Sequence, residues 1–228
     1  MPRDVGAVIV AGGRGARMGG NTPKQYEPIG GVPLVLRALR PFASHPEVGH
    51  VVLVLPPVDA ATPPDWLRGL IGGMLTVVAG GPERSDSVAA GLAALPPTCE
   101  VVLVHDAARP FVERATIDAV IGAAREGVGA VAAVPLTDTL KETGDSGTVV
   151  RTIPRDRLWR AQTPQGFPRT MLEEAYARAR QTGVRATDDA ALVERLGRTV
   201  RVVPDSPRNF KVTTPDDLAL ARLIASQE

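Results

Sequence analysis

The chain holds a single cysteine, Cys99, and only three histidines. No intramolecular disulfide can form, and no Cys/His cluster offers a zinc site. Cys99 reads as a small buried hydrophobe just ahead of a strand. An excess of charge of one sign is also missing: 26 Lys plus Arg stand against 25 Asp plus Glu, a formal net charge of +1. That balance lacks the footprint of a protein that tracks nucleic acid through many phosphates. No segment approaches about 18 uninterrupted apolar residues, which excludes a transmembrane helix. Met1-Pro2-Arg3-Asp4 runs straight into a short apolar stretch, without the charged n-region and apolar h-region of a secretory signal. The expectation is a cytoplasmic protein with neither nucleic acid nor membrane as partner. Lysine is scarce too: only Lys24, Lys141 and Lys211 are lysines, and the other 23 basic residues are arginines. Where Arg fills nearly every basic position, a remaining Lys hints at a place where a compact point charge fits and a planar fork does not.

What is present is regular. The 228 residues, 44% of them hydrophobic, suffice for a core without staples. Apolar β-branched runs recur at Val5–Ala11, His50–Leu55, Met74–Ala79, Val101–His105, Gly129–Val134 and Thr199–Val203. Most are continuous rather than alternating, as in strands covered on both faces. Helix-like stretches lie between them, at Pro33–Ala43, Arg84–Leu95, Arg114–Glu126, Pro168–Gln181, Thr187–Leu196 and Pro215–Ala225. Pro33 and Pro215 suit a first helical turn, and Thr187 and Thr214 suit N-caps. This alternation predicts an α/β fold, a mostly parallel sheet with helices on both faces. Pro56–Gly73, rich in Pro and Gly, reads as loop with a short helix. One stretch, about 136–155, breaks the rhythm. Two β-type runs, Thr137–Lys141 and Thr148–Ile153, flank a turn-like Thr143–Gly147 and have too few large apolar residues to bury themselves. Such a hairpin either lies on the sheet or projects as an arm that packs against another subunit. The whole of 1–228 reads as one domain carrying this arm.

In an open α/β sheet, ligands bind outside the carboxyl ends of the strands, so the residues after each strand are the candidates. After the first come Ala11 to Met18, A-G-G-R-G-A-R-M. Gly12, Gly13 and Gly15 let backbone N–H groups approach a phosphate, and Arg14 and Arg17 add charge. The loop lacks the Lys-Ser or Lys-Thr pair of a P-loop. Asn21-Thr22-Pro23 interrupts the helix a dinucleotide fold needs, and the second strand ends in Leu55-Pro56-Pro57 without the ribose-binding acid. Pro23-Lys24-Gln25-Tyr26 then brings a lysine close to the phosphate loop. Gly80 to Val88 forms another small polar loop opening a helix, with Ser85 and Ser87 as candidates to meet a base or ribose. His105-Asp106-Ala107-Ala108-Arg109-Pro110 puts a carboxylate at the rim of the sheet, able to accept hydroxyls or approach a metal, with Arg109 ready for a phosphate. His105 reads as a hydrogen-bonded structural residue, and His45 and His50 as loop and strand-edge residues with no partner. Asn209-Phe210-Lys211-Val212-Thr213 places the third lysine on a short strand before the last helix.

Taken together, Ala11–Met18, P-K-Q-Y at 23–26, H-D-A-A-R-P at 105–110 and N-F-K-V-T at 209–213 resemble the 2-C-methyl-D-erythritol 4-phosphate cytidylyltransferases. So do Asp138-Thr139, Arg155-x-x-Leu158-Trp159 and Thr163-Pro164-Gln165, and the likeness runs in order along nearly the whole chain. The resemblance implies a Rossmann-like nucleotidyltransferase sheet with a projecting β-arm. It implies that Arg17 and Lys24 stabilise the transition state at the α-phosphate of CTP, and that Ala11, Gly12, Gly13, Gly81 and Ser87 line the cytidine pocket. Asp106, Thr163 and Lys211 would hold the methylerythritol phosphate, with Ala107 and Arg109 beside them. Thr139 and Arg155, on or next to the arm, would reach the partner's site in a homodimer, and Arg155 and Lys211 count with Arg17 and Lys24 as the catalytic set. Two positions depart from the family pattern: Pro82 and Arg208 each stand where an acidic residue is common.

The chemistry expected of such a site follows from charge. A phosphate monoester is mostly dianionic at pH 7, so the nucleophile needs no general base. The difficulty is bringing two polyanions together, which calls for cation placement and in-line positioning. Mg²⁺ would be held mainly by the CTP phosphates, with no dedicated protein ligands. Two other functions stay open at this point. A pentitol phosphate cytidylyltransferase of the same fold would take an acceptor differing by one carbon and a methyl branch, a change pockets discriminate by only about 1–3 kcal/mol. A catalytically silent nucleotide-binding scaffold would have no reason to keep Arg17, Lys24 and Lys211.

Overall fold

The computed structural model describes residues 2–13 and 23–228. The first apolar run is strand β1 (Val5–Val10), followed by the short hairpin strands β2 (Pro28–Ile29) and β3 (Val32–Pro33), helix α1 (Leu34–Ala43) and β4 (Val48–Leu55). Helices α2 (Pro57–Ala61) and α3 (Asp65–Arg68) precede β5 (Leu75–Ala79) and α4 (Arg84–Ala94). Then come β6 (Val101–Asp106), α5 (Arg114–Arg125), β7 (Gly129–Pro135), β8 (Leu140–Thr143), β9 (Val149–Ile153) and β10 (Trp159–Pro168). Helices α6 (Arg169–Thr182) and α7 (Asp189–Arg195), strand β11 (Val200–Pro204) and helix α8 (Pro215–Ala225) complete the order.

The central sheet runs β11-β7-β10-β6-β1-β4-β5. β10 is antiparallel to both neighbours, and every other pairing in the sheet is parallel. Alternation along β1 sends Val5, Ala7 and Ile9 to one face, with Phe42 of α1 and Ile117 and Ile121 of α5. Val8 points to the other, with Val88 and Leu92 of α4, Leu172 and Tyr176 of α6 and Val193 of α7. Covering on both faces is why these strands read as unbroken apolar runs. Cys99 is buried just ahead of β6, as its position suggested. A third cluster, including Ile29, Leu34, Phe111, Val212 and Leu218, seats α8 against the β2–β3 hairpin and the start of α1. None of the described helices is long and apolar enough to cross a membrane.

Several boundaries differ from expectation. The largest difference is β10, where the sequence pattern shows no strand because Pro164, Gly166 and Pro168 interrupt it. The structure accommodates Pro164 and Gly166 in different ways. Pairing of β10 with β7 breaks between Ala161 and Gln165, so Pro164 sits where the ladder is irregular, after a cis Thr163–Pro164 peptide bond. Gly166 is required by packing: a Cβ there would lie 2.4 Å from Val120 Cγ1. Asn209–Thr213 forms no strand; it is held by the Val212 N–H bond to the Ala108 carbonyl, 2.8 Å. Pro56–Gly73 holds two short helices instead of one. Asp188, not Thr187, caps α7, accepting from Ala191 N–H. Pro33 is the cap residue of α1 rather than part of its first turn, while Thr214 caps α8 in a reciprocal box with Asp217, Pro215 following it.

The hairpin β8–β9 pairs only with itself and forms no ladder with the central sheet. Leu140, Val149 and Val150 on it are 39%, 54% and 66% exposed, too open for a strand pair lying on the sheet. It projects.

Candidate active site

A cleft of about 220 Å³ opens at the carboxyl ends of β1, β5 and β6. Its floor is Val10 to Gly13, its sides are Gly81 to Arg84 with Ser87 and Asp106 to Ala108, and Lys24, Gln25 and Lys211 close over it. Of the residues expected to bind substrate, Ala11, Gly12, Gly13, Gly81, Ser87, Asp106 and Ala107 line this cleft, with Lys24 and Lys211 from the expected catalytic set. Arg14 and Arg17 lie outside the described residues.

The wall after β5 is shaped by absent side chains. The Gly81 N–H donates to Ser87 Oγ at 3.2 Å, and Ser87 Oγ donates to the Glu83 carbonyl at 3.2 Å. A Cβ on Gly81 would stand 2.3 Å from Asp86 Cβ, and one on Gly80 would stand 2.6 Å from Ser87 Oγ. Only glycine lets this loop fold tightly over the first turn of α4, which Glu83 and Asp86 close as a capping box. Ser85 faces a separate depression between α4 and α6, not the cleft, because it lies on another face of the helix from Ser87. Lys24 follows Pro23 in a single 3₁₀ turn and donates from Nζ to the Val212 carbonyl at 2.8 Å, which joins it to the segment carrying Lys211. The two residues after it are braced from α2: Gln25 Nε2 and the Tyr26 hydroxyl both donate to Asp59 Oδ2, at 3.1 and 2.8 Å. Burial and this carboxylate push the Tyr26 phenol above its ordinary range.

Asp106 is the electrostatic centre. Its Oδ1 accepts from Arg84 Nε at 3.1 Å and its Oδ2 from Lys211 Nζ at 2.8 Å. Burial alone would raise its pKa, but Arg84 and Lys211 outweigh burial and hold the carboxyl well below the usual carboxylate range. Behind it runs a chain of hydrogen bonds. The Asp106 N–H donates to Thr163 Oγ1, and Thr163 Oγ1 is 3.0 Å from His105 Nδ1, whose Nε2 is 3.0 Å from the Arg109 carbonyl. A carbonyl can only accept, so Nε2 carries the proton and Nδ1 accepts from Thr163. Burial lowers the pKa of His105 to about 4, so the ring is neutral at pH 7. This is the structural histidine the sequence suggested. His45 and His50 do have partners, against expectation: His45 Nε2 meets Asp118 and His50 Nε2 meets Thr76 Oγ1, each at 2.8 Å. Neither contact crosses a span that sequence spacing reveals.

Four expected residues stand apart from the cleft surface. Thr163 is behind the wall, its hydroxyl engaged on both sides as just described. Arg109 is largely buried and donates to the Asn209 carbonyl at 2.8 Å, while Asn209 Nδ2 donates to the Thr163 carbonyl at 2.7 Å. These bonds clamp the Lys211 segment onto β10. Thr139 and Arg155 are exposed on and beside the arm, where Arg155 donates to the Thr137 carbonyl, and neither lines the cleft of its own chain.

Arg84 lines the cleft yet escaped the sequence reading, which took it as the first residue of a helix. A signal was there. A cation at a helix N-terminus opposes the helix dipole, so an arginine there needs a compensating carboxylate, and this one has two, Asp106 and Asp189.

Comparison with known proteins agrees with this geometry. The family model of 2-C-methyl-D-erythritol 4-phosphate cytidylyltransferase matches residues 5–227. A protein of that description from Salinibacter ruber is 46% identical over 95% of this chain and 91% of its own length. Another, from Syntrophus aciditrophicus, is 43% identical over 100% of this chain and 98% of its own. Among solved structures, the Thermus thermophilus 2-C-methyl-D-erythritol 4-phosphate cytidylyltransferase superposes with a TM-score of 0.79 at 37% identity, covering 96% of this chain and 98% of that one. A 4-diphosphocytidyl-2C-methyl-D-erythritol synthase from Anaerococcus prevotii gives a TM-score of 0.84 at 28% identity, over 97% and 98% of the two chains. The family match over residues 5–227, together with relatives 43–46% identical over nearly the whole chain, leaves one assignment: this chain belongs to the 2-C-methyl-D-erythritol 4-phosphate cytidylyltransferase family.

Proposed function

We propose that this cleft carries out the family's reaction, moving CMP from CTP onto the phosphate of 2-C-methyl-D-erythritol 4-phosphate and releasing pyrophosphate. One observation carries the reading for these residues. Of only three lysines in the chain, Lys24 and Lys211 meet in one glycine-floored cleft beside an ionised Asp106. Ala11, Gly12, Gly13, Gly81 and Ser87 hold the cytidine, and Lys24, with the Arg17 of the family motif, stabilises the transition state at the α-phosphate. Asp106, with Ala107 beside it, accepts the acceptor's hydroxyls, while Lys211 holds its phosphate. Thr163 and Arg109 support these groups from behind. An oxygen of the acceptor phosphate attacks the α-phosphorus in line, and the bond from that phosphorus to the bridging oxygen breaks. Its electron pair leaves with pyrophosphate. The nucleophile is already a dianion at pH 7, so no base is required, in keeping with a His105 whose two ring nitrogens are both occupied. Catalysis rests on cation placement and alignment.

Mg²⁺ suits this site as an ion carried by the triphosphate. Among the described residues, no three His, Cys, Asp or Glu side chains gather to cage a metal, and Asp106 already serves two cations. One acceptor among the residues lining the cleft suits a hydrated ion: the buried Gln25 Oε1, whose Nε2 donates to Asp59, has no protein partner. It can take a hydrogen bond from a metal-bound water. When bound, the ion neutralises triphosphate charge.

The arm belongs to the same reading. A two-stranded hairpin without a core of its own is marginal in water, and a twofold partner offers the same surface twice. In a homodimer each arm brings Thr139 and Arg155 to the cleft of the other subunit.

The test is CTP-dependent pyrophosphate release with a panel of acceptors. Methylerythritol 4-phosphate should exceed ribitol 5-phosphate in kcat/KM by roughly 10–200-fold, the range one carbon's difference allows. No release with any acceptor would sink the enzymatic reading, and a preference for ribitol phosphate would assign the chain to the pentitol reaction.

A further inference from the structure

We propose that Asp189 is a positioning residue for the acceptor site, acting on Asp106 through Arg84. The inference rests on the reading of Asp106 as an acceptor-binding residue. Asp189 lies in the first turn of α7, fully buried, and does not line the cleft. Its Oδ2 accepts from Arg84 Nη1 at 2.9 Å and its Oδ1 from the Tyr176 hydroxyl at 2.5 Å. The same guanidinium donates from Nε to Asp106 Oδ1 at 3.1 Å. One arginine thus spans two carboxylates, one on the cleft wall and one inside the fold.

The anchor is itself anchored. Asp188 Oδ2 accepts from Gln165 Nε2 at 2.8 Å, and Gln165 Oε1 accepts from the Ala190 N–H at 2.9 Å, which pins the start of α7 to β10. Tyr176 ties Asp189 to α6. Elements that never touch the cleft thereby fix the direction in which Arg84 leaves α4.

Stability alone does not call for this arrangement, since a buried ion pair is costly to desolvate and well-packed apolar residues often replace one without loss. What charge supplies here is direction. Arg84 has a long, rotamer-rich side chain at the edge of a site that receives polyanions. Held by Asp189, its guanidinium presents Nε to Asp106 Oδ1 and leaves Oδ2 to Lys211. Asp189 also cancels the charge of Arg84, so the guanidinium orients Asp106 without adding a net cation. Without Asp189, incoming phosphates compete for Arg84 and Asp106 loses one of the two donors that set its orientation.

The experiment compares steady-state constants for Asp189→Asn, Tyr176→Phe and Asp106→Asn with the unaltered enzyme. Asp189→Asn keeps the side-chain size and an acceptor for Tyr176 but removes the charge. The acceptor KM should rise by about tenfold, the scale of a lost hydrogen bond to a charged group, with the CTP KM nearly unchanged. Tyr176→Phe, which leaves every charge in place, should show the same selectivity at smaller size, and it carries the test if Asp189→Asn does not fold. A merely structural role would lower the active fraction and leave both KM values where they were, and that result in the folded variants would overturn the proposal. Asp106→Asn separates the two levels. If it leaves the acceptor KM unchanged, the reading of Asp106 has failed. If it raises that KM while Asp189→Asn and Tyr176→Phe do not, the relay alone has failed.

Discussion

His105 has no room for a second proton, and this makes an acid weakness of the fold measurable. It is fully buried near the carboxyl end of β6, with Nδ1 accepting from Thr163 and Nε2 donating to the Arg109 carbonyl. Burial holds its pKa at about 4, against 6.5 for an ordinary histidine. As pH falls below 6.5 the unfolded chain takes up a proton that the native chain refuses until near pH 4. The unfolded state therefore binds more protons in that window, and stability declines there at about 1.4 kcal/mol per pH unit. From pH 7 to pH 4.5 the loss from this one ring is about 2.4 kcal/mol. Asp106 acts in a lower window. Its depressed pKa stabilises the fold above the unfolded value of 3.8, and that contribution disappears only at more acid pH. His50 is also held below its ordinary value by burial and acts with the same sign, so the informative comparison is with His105→Gln, which keeps His50. Urea unfolding followed by circular dichroism at pH 7 and pH 4.5 makes the measurement. His105→Gln should start less stable, yet lose about 2.4 kcal/mol less over the interval than the unaltered protein. Equal losses in the two proteins would refute a neutral, doubly bonded His105.

Three further outcomes concern the cleft and the arm. Lys24→Ala should lower kcat by 2–3 orders of magnitude, about 3–4 kcal/mol by analogy with losing a preorganised transition-state donor, and near-normal turnover at saturating substrates would remove Lys24 from the catalytic set. Gly81→Ala should raise the KM for CTP and spare the acceptor KM, because its Cβ would fall 2.3 Å from Asp86 Cβ and push the loop out of shape; an unchanged CTP KM would show that this loop does not contact the nucleotide. Mixing inactive Lys24→Ala with inactive Arg155→Ala should restore partial activity after subunit exchange, since a mixed dimer owns one site with both residues intact. Verified exchange without recovered activity would show that each arm serves its own chain.

The frame of the fold was readable because its signals are local. Runs such as His50–Leu55 and Val101–His105 are apolar with little alternation, and only a strand covered on both faces makes that pattern economical. The projecting hairpin was visible for the opposite reason, since nothing in it could form a core. β10 was not readable. Its prolines and glycine deny it a strand pattern, and it is permitted only by a break in its ladder with β7 and by the space that Gly166 leaves for Val120. No window of sequence contains those partners. The same limit moved Lys211 off the strand expected for it, because what holds that segment is Asn209 reaching the Thr163 carbonyl, 46 positions away.

The cleft divides along the same line. Cleft-lining residues marked by backbone shape or bare charge were legible: Gly12 and Gly13 as places without side chains, Lys24 and Lys211 as two of three lysines in a chain rich in arginine, Asp106 as an acid ending an apolar run. Residues that act by holding others were not. Asp59 braces Gln25 and Tyr26 across 34 and 33 positions, and Asp189 holds Arg84 across 105. An aspartate in the first turn of a helix already has a sufficient local explanation in the helix dipole, so nothing in α7 marks Asp189 as unusual. Its meaning appears only with its burial. A carboxylate sealed from water must have a cation, that cation is Arg84, and Arg84 ends on Asp106. By the proposed relay, the acceptor side of this cleft is a property of β10, α6 and α7 as much as of the loops that line it, and substitutions in those elements should alter acceptor KM without touching substrate.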